Sequence, residues 1–210
     1  MEFDFNKFNS DQLDVFKEIS TIGAGNAATS LSKLLKKNIT MSVPIVKVLD
    51  FSQVGKVLGS EDEIVAGVVT PLAGDVKGML LFILKLDDAL NVINTLTKKN
   101  YNGLESLDEY AISAIKETGS ILSGTYISAL SSLTKLHIDC RYPNVSIDMA
   151  GAILSLPAIS FATVSENCLY IDSNFLTKED DSNSNIKANI FLVPDANSFK
   201  NILQALGVHG

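Results

Sequence analysis

One pattern is written twice in this chain, ninety-nine residues apart. The first copy runs Asp14, Glu18, Thr21, Gly25, Leu31, Leu34 and Pro44, and the second Ser113, Glu117, Ser120, Gly124, Leu130, Leu133 and Pro143. In words, it is Asp or Ser, three residues, Glu, two residues, Thr or Ser, twenty-two residues, then Pro. The register holds over about thirty residues, which signals duplicated structure. Two copies are too few for a solenoid. They predict pseudo-twofold symmetry within one domain spanning 1–210, built from repeats of about 11–100 and about 107–207, with two equivalent surface sites.

The 210 residues suffice for a full core. A chain 46% hydrophobic and 20% charged is of ordinary globular composition. No apolar run reaches the eighteen or so residues of a membrane span. The acidic, polar start MEFDFNKFNSDQLD is unlike a signal peptide, so the expectation is a cytoplasmic protein without membrane insertion. The net charge of −7 speaks against nucleic acid as a partner and suits one that offers a lysine. Cys140 and Cys168 fall in expected strands without a motif and read as buried, reduced thiols. His137 and His209 stand in unrelated contexts, so no metal site is expected. The segment IGAGNAA lacks the third glycine and the preceding strand of a dinucleotide fingerprint.

Helical spacing predicts a long helix from about Asp11 to Lys36, capped by Asn9 with Gln12, its apolar face carrying Leu13, Phe16, Ala27, Leu31 and Leu34. A second is expected from about Leu107 to Thr134 behind a Ser106–Glu109 capping box, with Ile112, Ile115, Leu122, Tyr126, Leu130 and Leu133 inward. Strands are expected over Asn38–Leu49, Glu63–Thr70, Val76–Leu86, His137–Asp148, Cys168–Asp172 and Ile186–Val193. Short helices follow at Asp87–Leu96 and after Asp195, Met149–Val164 is ambiguous, and Lys178–Asn185 reads as a surface loop. The fold class is α/β (α+β), two strand-rich halves joined into one sheet with two long helices on it.

At about 100° per residue, Asp14, Thr21 and Gly25 fall within about 60° of Glu18, opposite the apolar face. Ser113, Ser120 and Gly124 do the same around Glu117. Taken singly these are ordinary solvated positions, and a duplicated gene keeps their register in any case. Glycine costs about 1 kcal/mol inside a helix. Gly23, Gly25, Gly119 and Gly124 therefore suggest either a close helix crossing or the approach of a partner's backbone.

The segments KEISTIGAGNAATSLSKLLKKNITMSVP and AIKETGSILSGTYISALSSLTKLHIDCRYP, with VSIDMAGAILS after them, resemble the CheC, CheX and FliY phosphatase family of bacterial chemotaxis. The resemblance runs from about Asp11 to Gly207. It implies a CheC-like duplicated domain with a mostly antiparallel central sheet. It also implies action on the phospho-aspartate of CheY, the response regulator of the flagellar motor. In that family the glutamate reaches a lysine of CheY and an asparagine orients the attacking water. Glu18 and Glu117 match the glutamates, Asp14 and Ser113 the first motif position, and Pro44 and Pro143 the prolines. Gly25 and Gly124 join the partner-binding set. The asparagine positions hold Thr21 and Ser120 instead.

A carboxamide offers a donor and an acceptor together on a longer stem than a hydroxyl. Losing one preorganised hydrogen-bonding group costs on the order of 10²–10³ in rate. The expectation is a protein that binds phosphorylated CheY with dephosphorylation weak or lost. Asn26, two turns beyond Glu18, is a poor substitute for an amide at position 21. Two alternatives stand beside this: a working phosphatase that uses the hydroxyls, and a non-catalytic regulator that binds CheD. Asp148 matches the region of CheD contact in the family and reads equally well as a helix N-cap. Mg²⁺ would belong to CheY, with no cofactor of this chain's own. Because the chain supplies both halves, monomer is its natural state.

Overall fold

The computed structural model describes residues 10–161, 167–177 and 185–207. In chain order the elements are α1 (Ser10–Leu35), β1 (Ile39–Met41), β2 (Ile45–Asp50), α2 (Phe51–Leu58), β3 (Ile64–Gly74), β4 (Gly78–Lys85) and α3 (Leu86–Thr97). A second round follows: α4 (Glu109–Thr134), β5 (Ile138–Cys140), β6 (Asn144–Met149), α5 (Ala150–Phe161), β7 (Asn167–Thr177), β8 (Asn185–Pro194) and α6 (Ala196–Ala205).

The eight strands form one antiparallel sheet in the order β1-β7-β8-β4-β3-β5, with β2 also on β7 and β6 also on β3. Each round thus lends its first two strands to the long hairpin of the other. The hairpins meet at the centre through β4 and β8, where Phe82 stands opposite Ile190. Pro44 and Pro143, without an N–H to donate, interrupt the expected long strands and split them into β1–β2 and β5–β6. The neighbouring amides of Ser42 and Arg141 bond instead to the carbonyls of Asn174 and Pro71.

The long strands are apolar on both sides because both faces are covered. On one face Val68, Leu80, Phe82, Ile171 and Ile190 pack with α1, α3, α4 and α6, through Phe16, Ile93, Ile115 and Phe199. On the other, Val65, Leu81, Ile83, Tyr170 and Phe191 pack with α2 and α5, through Val54, Leu58 and Ile153. The helix α2 is not among the expected elements, and the ambiguous stretch Met149–Val164 holds the helix α5. α2 spans only eight residues, shorter than the stretch over which a helical period can be read, and the sequence of α5 is apolar nearly throughout, so its period does not stand out.

Several expectations need correction. Ser106 and Glu109 form no capping box: the Ser106 hydroxyl donates to Gly103 in a tight turn before α4. Asp108 caps the helix, accepting from the Ala111 amide at 2.9 Å. Leu133, the penultimate residue of α4, is exposed instead, because Leu130 and Thr134 take the inward positions of the last turn. Cys140 is exposed on β5 at the sheet edge, whereas Cys168 is buried in β7, and neither forms a disulfide. Asp148 is no N-cap. It sits in β6 and accepts from the adjacent Met149 amide, while the first amides of α5 donate to the Glu63 and Glu61 carbonyls. Asn9, His209 and most of the Lys178–Asn185 loop lie outside the described residues, as does the side chain of Gln12.

Candidate functional site

The candidate site is two stripes on the outer faces of α1 and α4. Asp14, Glu18, Ser113 and Glu117 are exposed, and Thr21, Gly25, Ser120 and Gly124 are half-buried. The helices put them there because Phe16, Ala27 and Leu31, and likewise Ile115, Leu122 and Leu130, take the inward positions.

The hydroxyls at the two changed positions do the same thing. Thr21 Oγ1 donates to the Lys17 carbonyl at 2.7 Å, and Ser120 Oγ donates to the Lys116 carbonyl at 2.7 Å. This back-bonding to the preceding turn is the usual fate of Ser and Thr inside a helix. It uses the only proton each side chain has, and leaves lone pairs facing solvent. Each site as built can accept a hydrogen bond at this position without donating one.

The four glycines separate into two kinds. A Cβ on Gly23 would stand 2.8 Å from the Tyr126 ring, and one on Gly119 would stand 2.5 Å from Val68 of β3. These two serve packing. Tyr126 is pinned by a 2.7 Å hydrogen bond between its hydroxyl and that of Ser173, and burial pushes its phenol pKa well above the ordinary value. A Cβ on Gly25 or Gly124 would meet nothing within 4 Å. Among the described residues no internal contact asks for glycine at the two matched positions, and each leaves a bare stretch of backbone on the same stripe as its glutamate.

The direction of the helices follows from the same contacts. Gly23 of α1 lies against Tyr126 of α4, while Asn26, Thr29 and Ser30 share a groove with Ser120, Ile121, Gly124, Thr125 and Ser128. Later residues of α1 thus meet earlier residues of α4, and the two run antiparallel. One consequence has no local signal in the sequence: Asn26 of α1 lines the groove that Ser120 of α4 also lines. Only the pairing of the helices reveals it. Asp148 lies apart from both stripes, exposed near the end of β6.

The sequence model of the CheC-like family matches residues 12–48, which hold the first stripe. The chain is 34% identical over 205 residues to the CheY-P phosphatase CheC of Bacillus subtilis (strain 168), covering 97% of each chain. In fold it is similar to Thermotoga maritima FliY, with a TM-score of 0.73 at 21% identity over 95% of this chain and 98% of that one. A chain of the CheX–CheY–BeF3–Mg²⁺ complex from Borrelia burgdorferi gives a TM-score of 0.50 at 21% identity, covering 80% of this chain and 94% of that one. The chain belongs to the CheC family. Among the described residues no helix is long and apolar enough to cross a membrane.

Proposed function

We propose that this protein docks a phosphorylated CheY-like response regulator on each of its two stripes and hydrolyses the phospho-aspartate slowly. Glu18 and Glu117 are the anchors, each meeting a lysine of the regulator. Asp14 and Ser113 border the contact, and Gly25 and Gly124 let the regulator's backbone come close. The regulator brings its own Mg²⁺, so positioning and electrostatics at the phosphoryl group come mainly from its side of the interface. The chemistry left to this chain is to orient water.

The observation that carries this reading is the pair of back-bonded hydroxyls beside two exposed glutamates. Lone pairs at Thr21 and Ser120 can accept a hydrogen bond from water. Donating one to the phosphoryl group or its surroundings requires breaking the bond to the helix first. That supports turnover well below what a carboxamide at the same positions would give. The name of the Bacillus subtilis relative and the Borrelia burgdorferi CheX–CheY complex, where BeF3 stands in for the phosphoryl group, support the choice of partner.

The test is the decay of a phosphorylated CheY-like regulator from the same organism, with and without stoichiometric protein. Modestly faster decay is expected, with complex formation in the same sample. A rate matching an Asn-containing relative would sink the claim of slow turnover, and absence of a complex would sink the docking.

A second reading is a CheD-binding regulator. It is favoured by Asp148, whose side chain is exposed and not committed to capping α5. Capture of CheD by the wild type and its loss in Asp148→Ala would support it.

A further inference from the structure

We infer that Asn26, reaching across from α1, supplies the second site with the carboxamide that Ser120 lacks. The inference deepens the proposed function and rests on the regulator docking at Glu117.

Three observations carry it. Asn26 is exposed and lines the same groove as Ser120 and Gly124. Among the described residues lining it, Asn26 is the only carboxamide, beside hydroxyl-bearing Thr29, Ser30, Ser120, Thr125 and Ser128. Gly124 lines the groove as well and carries no side chain into it, and a Cβ there would meet nothing within 4 Å among the described residues.

The first site has no such help from the matching position. Ninety-nine residues beyond Asn26 stands Thr125, whose hydroxyl donates to the Leu122 carbonyl at 2.8 Å. The two stripes, so alike in sequence, are therefore unequal in chemistry. At the second, the Asn26 carbonyl can accept from a water while its amino group donates, a combination the Ser120 hydroxyl does not offer while its proton is given to the Lys116 carbonyl. The water oxygen adds to phosphorus as the phosphorus–carboxylate bond breaks. The regulator regains its aspartate carboxylate, and inorganic phosphate leaves carrying the water's oxygen and protons in balance with solvent.

The experiment uses the full chain and a CheY-like regulator from the same organism, loaded with acetyl phosphate for decay and with BeF3 and Mg²⁺ for binding. Glu18→Ala leaves only the second site in use, and Glu117→Ala only the first. In the Glu18→Ala background, Asn26→Ala is expected to lower kcat about tenfold or more while KM holds. Asn26→Asp, of the same size, should lose as much. Binding of the BeF3-loaded regulator should persist in the Asn26→Ala protein, which separates lost chemistry from lost fold or docking. An unchanged kcat, or an equal loss in the Glu117→Ala background, would overturn the assignment of Asn26. So would capture of the regulator without any accelerated decay. Failure of every variant and of the wild type to capture the BeF3-loaded regulator overturns the docking itself, and the inference with it.

Discussion

The stripes on α1 and α4 carry matching residues, yet their supports differ. Beneath the first, the close approach is helix to helix, Gly23 under the Tyr126 ring. Beneath the second, it is helix to sheet, Gly119 against Val68 of β3, with Thr70 of the same strand donating to Ser123 at 3.1 Å in the interior. The groove beside Ser120 also holds the Asn26 carboxamide, whereas the residue ninety-nine positions beyond Asn26 is Thr125, a hydroxyl. Register in sequence therefore preserved the outward pattern without preserving what each stripe rests on. A motif written twice marks two surfaces of the same shape, and their chemistry depends on which neighbours the antiparallel helix pairing brings alongside.

The largest effect that sharpens this contrast comes from restoring the missing amides. Thr21→Asn with Ser120→Asn should accelerate decay of the phosphorylated regulator on the order of 10²–10³ over wild type. Taken singly, Thr21→Asn should give the larger gain, since Asn26 already serves the second site. Equal gains would erase the proposed inequality, and no gain in the double variant would mean that the docking surface has changed. Next in size is reversal of the anchor charge. Glu18→Lys and Glu117→Lys should each remove one of two docking positions, cutting affinity there by about 30-fold or more, as for a desolvated charge pair that loses a partner. Titration calorimetry with the BeF3-loaded regulator would show the stoichiometry fall from two to one in either variant.

Glycine substitutions probe support and surface separately. Gly119→Ala drives a methyl into the β-branched stem of Val68, which has no flexible end to give way, and should cost about 1–3 kcal/mol in urea unfolding. Gly124→Ala has open space outside and should gain up to about 1 kcal/mol of helix propensity while weakening regulator capture at the second stripe. Loss of stability in Gly124→Ala would mean that its bareness serves packing after all.

Much of this was legible from the chain. Both long helices follow from their apolar faces, and the central strands from continuous apolar runs such as GMLLFILK. The exposure of Asp14, Glu18, Ser113 and Glu117 was also legible, because it follows from helical period once the core face is known. What escaped had no local signal. α5 is apolar nearly throughout its sequence, so no inward stripe stands out in it. The position of Asn26 beside Ser120 depends on two helices far apart in sequence running in opposite directions. Gly23 and Gly119 looked like partners of Gly25 and Gly124, but whether a glycine admits a neighbour or leaves a gap is a property of what stands opposite.

The smallest expected effect concerns how the second stripe is held in place at its N-terminal end. Asp108 caps α4 three turns before Ser120, and it accepts from the Tyr101 hydroxyl at 2.7 Å, the Ala111 amide at 2.9 Å and the Lys99 ammonium at 3.0 Å. These bonds, the tyrosine's foremost, hold its carboxyl down at about 2, against an ordinary 3.8. A carboxyl depressed on folding stabilises the folded state above its unfolded value, and that contribution is lost as pH falls through the folded one. Thermal unfolding followed from pH 5 to pH 2 should therefore show part of the wild type's acid loss missing in Asp108→Asn. At pH 7 that variant should melt about 2–4 °C lower, the scale of one weakened cap in a chain of this length. The stripe on α1 lies far from this cap in sequence, so Glu18-dependent capture of the regulator should hold while capture at Glu117 weakens. Equal weakening at both would show that the two helices respond as one body, and that the inequality of the stripes is confined to the groove at Ser120.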